Sequence, residues 1–125
     1  MTYIPNNNIV ASGVYTPTLF NLSNLDASTA YECQYSQVGS FVTVTGRVDI
    51  DPTLTATSTK LGISIPIASN LDNAKQCAGT AFSPTIAAQG AAIIGDATND
   101  RAQLQFVSTD VTNQAMFFTF SYRVI

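Results

Sequence analysis

With 125 residues, 46% of them hydrophobic and only 10% charged, the chain holds material for one buried core and no second domain, and is too apolar for a disordered or solvating segment. Five basic against eight acidic residues leave a net charge of −3, and without a basic cluster neither nucleic acid nor an anionic membrane is an expected partner. The chain has no His and no Trp, which removes Ser-His-Asp and Cys-His nucleophile arrangements, His-ligated metals, and the ring best suited to stacking on sugars.

Met1 to Ala11 reads as an N-terminal arm ahead of a module covering residues 12–125. The arm lacks the basic start and apolar run of a signal peptide, so synthesis without export is expected. Asn6, Asn7 and Asn8 offer amides that donate and accept hydrogen bonds without the desolvation cost of charge, while Tyr3, Ile4, Ile9 and Val10 flank them with apolar anchors. These seven residues are the candidate attachment site for a larger assembly.

Weak strands are expected over Gly13–Asn21 and Thr29–Val38, the second with Tyr31, Cys33 and Tyr35 in phase, and the Asn21 to Ser28 cluster between them reads as a turn. Val38-Gly39-Ser40 is a further turn. In Phe41–Ile50 the positions Val42, Val44, Val48 and Ile50 alternate with Thr43, Thr45, Arg47 and Asp49, the period-two pattern of a strand with one buried face. Gly46 interrupts the buried row, which predicts a bulge or a close neighbour. Asp49 and Asp51 form a carboxylate pair of the kind used in glycoside hydrolysis or an oxygen-ligated metal site, but Pro52 and a Thr-rich loop follow at once, so a solvated strand end is expected.

Leu61, Ile63, Ile65 and Ile67 alternate with small or polar residues, and Pro66 pushes this strand toward a sheet edge or strand end. Weaker strands follow over Gln76–Ser83 and Ile86–Ile94. Asp96 to Asp100 opens like a calcium loop, but Arg101 stands where a turning Gly is needed and Val107 where a bidentate Glu is needed; a hairpin turn is expected, with Asp100 and Arg101 pairing locally. Ala102, Leu104 and Phe106 mark another strand. In the last, Met116, Phe118, Phe120, Tyr122 and Val124 form an aromatic core face.

About eight strands at short spacing, with no convincing helix pattern, predict an all-β fold, an antiparallel β-sandwich of jelly-roll type. Cys33 and Cys77 fall on different strands without metal or redox spacing, and Cys33 has neither a His nor a basic cluster beside it. Reduced, buried thiols are the first expectation and a strand-to-strand disulfide the alternative. Neither a catalytic residue nor a cofactor or metal site is expected. Thirteen charged residues cannot densely cover the surface of a domain this size, so part of the outside is expected to be buried against copies of the same chain.

The runs S-G-V-Y-T-P-T-L-F-N-L-S-N (Ser12 to Asn24), A-S-T-A-Y-E-C-Q-Y (Ala27 to Tyr35), V-T-V-T-G-R-V-D-I-D-P (Val42 to Pro52), L-G-I-S-I-P-I-A-S-N (Leu61 to Asn70), C-A-G-T-A-F (Cys77 to Phe82), G-D-A-T-N-D-R-A-Q-L-Q-F (Gly95 to Phe106) and T-N-Q-A-M-F-F-T-F-S-Y (Thr112 to Tyr122) resemble a family of small β modules of tailed bacteriophages. In that family the module is found at the C-terminal end of tail-fibre-like proteins or as a short stand-alone protein. The resemblance implies a virion structural protein, trimeric, jelly-roll-like and without enzymatic role, assembled in the bacterial host cytoplasm. An arm of eleven residues in place of a fibre shaft favours a capsid decoration (cement) protein bound to the major capsid protein. The alternative is a receptor-binding, tail-tip or tail-fibre head module bound to a tail protein.

Overall fold

The computed structural model describes residues 10–125. Ten strands form the fold: β1 (Val10–Tyr15), β2 (Leu19–Ser23), β3 (Leu25–Ala30), β4 (Cys33–Val38), β5 (Phe41–Pro52), β6 (Ser58–Ile63), β7 (Cys77–Phe82), β8 (Gly90–Asp96), β9 (Arg101–Val107) and β10 (Gln114–Arg123). One 3-10 turn, Ala74–Gln76, precedes β7 and is closed at its start by a capping box between Asn73 and Gln76. All strand pairs are antiparallel, so the all-β antiparallel architecture is as expected.

The strands make one hydrogen-bonded sheet in the order β1-β4-β5-β10-β7-β8-β9-β6-β2, with β3 beside the second half of β5. Chain connectivity forces this sheet to curl. In a flat sheet the eight steps from β1 to β2 would separate them by roughly 38 Å, yet only Thr16-Pro17-Thr18 joins them, a link that spans at most about 14 Å. The result is a half-barrel whose two edge strands are tied at one end. Ser64 makes the tie: its backbone N–H donates to the Thr18 carbonyl at 3.0 Å, its Oγ accepts from the Thr18 N–H at 2.8 Å, and its carbonyl accepts from the Tyr15 hydroxyl at 2.9 Å.

The concave side holds the core. Val42, Val44, Val48 and Ile50 of β5 face Met116, Phe118, Phe120 and Tyr122 of β10, with Leu61, Ile63, Ile93 and Leu104 closing the cluster. Phe118, Phe120 and Tyr122 stack in sequence along β10, with ring centroids 5.8 and 6.2 Å apart. The Tyr122 hydroxyl, buried among them, is satisfied by the Ile67 backbone, donating to its carbonyl at 2.8 Å and accepting from its N–H at 2.9 Å. Cys33 and Cys77 are both buried and free.

Several boundaries differ from the sequence expectations. β1 begins at Val10, so Val10 and Ala11 pair with Val38 and Gln37 instead of lying in an arm. Tyr3, Ile4, Asn6, Asn7, Asn8 and Ile9 lie outside the described residues. The expected strand Gly13–Asn21 divides at Pro17, which has no N–H for a ladder. The expected turn after Asn21 contains β3, because the polar residues Asp26 and Ser28 sit on a strand that pairs with β5 at the sheet margin. The ladder ends at Ile63, ahead of Pro66, and Ile65 and Ile67 still pack against the core.

The largest correction concerns residues 29–38. Ala30 pairs with Val48 and Gln34 with Thr45, so three residues, Tyr31, Glu32 and Cys33, oppose two, Gly46 and Arg47. That extra residue is a β-bulge, and it reverses the side-chain phase. Cys33 and Tyr35 point inward, as expected, but Tyr31 and Glu32 are both exposed.

Candidate functional site

Among the described residues no helix covers the convex face of the sheet, and its outward side chains fall into rows set by the strand register. Val10 of β1, Val38 of β4 and Phe41 of β5 are successive partners at one end. They are 74%, 62% and 54% exposed, a contiguous apolar corner. The next rows are uncharged: Ser12, Ser36, Thr43 and Ser121, then Val14, Gln34, Thr45, Thr119 and Thr80. Thr43 and Ser121 join their hydroxyls at 3.0 Å.

A groove of about 410 Å³ opens at the other end of this face, over β4, β5, β10 and β7. Arg47 is six residue steps along β5 from Phe41, a distance of about 20 Å along an extended strand. Arg47 is the organising residue. Its guanidinium lies 4.7 Å from the Tyr31 ring centre and 5.8 Å from that of Phe117, a cation–π arrangement on two sides. Its Nε and Nη2 reach one oxygen of Asp49 at 3.0 and 2.9 Å. The Tyr31 hydroxyl donates to the other oxygen at 2.8 Å, and that hydrogen bond pushes the phenol above its ordinary pKa. Phe117 in turn stacks on Phe82, with centroids 6.1 Å apart and planes inclined by 24°. Glu32 of the bulge and Arg47, backed by Tyr31, form one wall, the two Phe rings form another, and Thr45, Thr80 and Thr119 line the groove between them.

Asp49 therefore belongs to this site as the anchor of Arg47 and Tyr31. Asp51, two residues on, makes no side-chain hydrogen bond among the described residues, so the pair does not converge on one ligand. At the β8–β9 hairpin, Asp96 accepts from Asn99 Nδ2 at 2.9 Å and from Arg101 Nε at 2.9 Å. Burial raises its pKa, and these hydrogen bonds outweigh burial to hold the carboxyl below its usual value. Arg101 thus pairs with Asp96 and not with Asp100, because the pairing register sets Asp96 opposite Arg101. Asp100, at φ 50° in the turn, accepts from the Leu71 N–H at 2.7 Å. Among the described residues, no group of three or more His, Cys, Asp or Glu side chains is placed to hold a metal.

Sequence reasoning identified Arg47 and Phe117 only as outward residues of good strands. The signal for their grouping is the register between four strands separated along the chain, and the bulge that turns Tyr31 toward Arg47. No family model matches the chain, and a comparison with curated proteins finds no relative.

Proposed function

We propose that the protein is a structural component of a bacteriophage particle, a homotrimer that decorates the outer capsid surface, binds the major capsid protein and stabilises the shell. In this reading the half-barrel is a jelly-roll-like module that acts through its surface, with no covalent chemistry, nucleic-acid contact or membrane contact of its own. The observation that carries it is the Val10, Val38 and Phe41 corner. Three large side chains more than half exposed on adjacent strands lose apolar hydration when a neighbouring copy covers them. The uncharged Ser and Thr rows beside them pack against a protein without stranding buried charges. The resemblance of the Ser12 to Tyr122 motifs to virion modules supplies the particle context. Tyr3, Ile4, Asn6, Asn7, Asn8, Ile9 and Val10 are the segment assigned to attachment.

A second reading, a receptor-binding or tail-tip module, is favoured by one observation: the rigid aromatic groove, which faces outward and is about 20 Å from the apolar corner. Copy number in purified particles separates the two. Decoration requires the protein in amounts comparable with the major capsid protein, and a tail position requires a handful of copies. Absence from purified particles rules out both.

A further inference from the structure

We propose that the groove between the Tyr31–Glu32 bulge and the Phe82–Phe117 pair is a glycan-binding site, for an uncharged or amine-bearing oligosaccharide. The inference rests on the chemistry of the groove and holds for either position on a particle.

The aromatic pair supplies the platform. Phe82 and Phe117 are 58% and 39% exposed, and with centroids 6.1 Å apart and planes inclined by 24° they leave apolar ring surface open for a pyranose C–H face to pack against. The two Phe rings thus take the part that the missing Trp would otherwise play. Around the platform stand groups that recognise sugar hydroxyls. The hydroxyls of Thr80 and Thr119 and the carboxylate of Glu32 make no side-chain hydrogen bond among the described residues, so their capacity is free for a ligand. Gln34 adds an amide whose only such contact is a long one, 3.4 Å from the Thr45 hydroxyl.

Charge selects among ligands. Arg47 is already paired with Asp49, and Glu32 leaves the groove with a surplus negative charge, so phosphates, sialic acids and uronic acids are disfavoured. A second protein chain is a poorer occupant, because an interface centre would strand the Glu32 carboxylate without a partner. Sugars, which bring their own hydroxyls and water, satisfy it. The site is also preorganised. Arg47 is fixed by a ring on two sides and a carboxylate on a third, and the lining residues other than Glu32, which sits in the bulge between β3 and β4, stand on four neighbouring strands, so little ordering entropy opposes binding.

The test is a glycan array probed with the whole chain, followed by calorimetric titration of a retained oligosaccharide. The expected result is saturable binding of at least one uncharged or amine-bearing glycan. Phe117→Ala and Phe82→Ala should each weaken it about tenfold or more, Glu32→Gln should weaken it while leaving the melting temperature unchanged, and Thr43→Ala, outside the groove, should bind as wild type. Retention of no glycan, retention of anionic glycans only, or wild-type affinity in the Glu32→Gln and Phe82→Ala variants would overturn the proposal.

Discussion

Gly46 and Gly79 lie on adjoining parts of the same core and are expected to respond to the same substitution in different ways. A Cβ built on Gly46 runs into Cys33 Sγ, and falls 2.8 Å from Cys33 Cβ and 3.2 Å from Phe118 Cζ. Normal contact between such atoms is about 3.5–4.0 Å, and Cys33 is fully buried with no room to swing away. Gly46→Ala should therefore cost about 1–3 kcal/mol through overpacking. Cys33→Ala alone empties the sulfur's volume at a cost of about 1 kcal/mol. In the double variant the new methyl occupies the volume the sulfur vacated, so the two costs should not add; a coupling of about 1–2 kcal/mol in favour of the pair is expected, with the remaining 2.8 Å contact limiting the rescue. At Gly79 the obstacles are the Thr119 carbonyl oxygen and, at 2.6 Å, Phe120 Cα, both backbone of the partner strand. Gly79→Ala must part β7 from β10 and should cost more than about 3 kcal/mol, with no side-chain substitution able to restore it. Urea unfolding of the four variants and wild type measures all of this. A neutral Gly46→Ala, or a double variant whose costs simply add, would mean that the Cys33 sulfur does not fill the space beside Gly46.

Three further outcomes follow from the core and its titrating groups. Gln114 is buried with both side-chain polar atoms lacking a partner, so Gln114→Met should raise the unfolding free energy by about 1–3 kcal/mol; a loss of stability would show that the amide is satisfied. Phe120→Ala should cost about 3–5 kcal/mol, and Thr119→Ala, on the convex face, less than about 0.5 kcal/mol; equal costs would mean that the strand faces are reversed. Burial pushes the Cys77 thiol up to about 12 and also raises Cys33, and burial lifts the Tyr122 phenol to about 12 despite its hydrogen bond to Ile67. Groups whose folded pKa is raised stabilise the fold fully below their unfolded values, so stability should be level up to about pH 9 and fall from there toward pH 12. Unfolding curves across that range check the sign, and a rise in stability above pH 9 would contradict it.

The parts of the fold legible in the sequence are those where burial enforces a strict period of two. β5 and β10 sit at the centre of the sheet with one face in the core, and any slip of register there would move four or more large side chains into water, so the alternation had to be written plainly. Gly46 was readable for the same reason: a gap in a buried row marks a neighbour, and that neighbour is Cys33. At the sheet margins selection on the pattern is weaker. β3 looks like a turn because Asp26 and Ser28 are turn-type residues on a marginal strand, and β1 and β2 look continuous unless the missing N–H of Pro17 is taken into account. The groove was hidden for a different reason. Its residues come from Tyr31, Glu32, Arg47, Phe82 and Phe117, brought together by strand order and by a one-residue bulge whose presence depends on pairing between strands and leaves no local mark.

Native mass spectrometry at micromolar concentration, with wild type beside a Val38→Ser, Phe41→Ser variant, shows whether the module self-associates through its apolar corner. The wild type should be a trimer and the variant a folded monomer, because the changed side chains are on the convex face and leave the core untouched. A monomeric wild type, or a trimer that survives both substitutions, would contradict self-association through this corner.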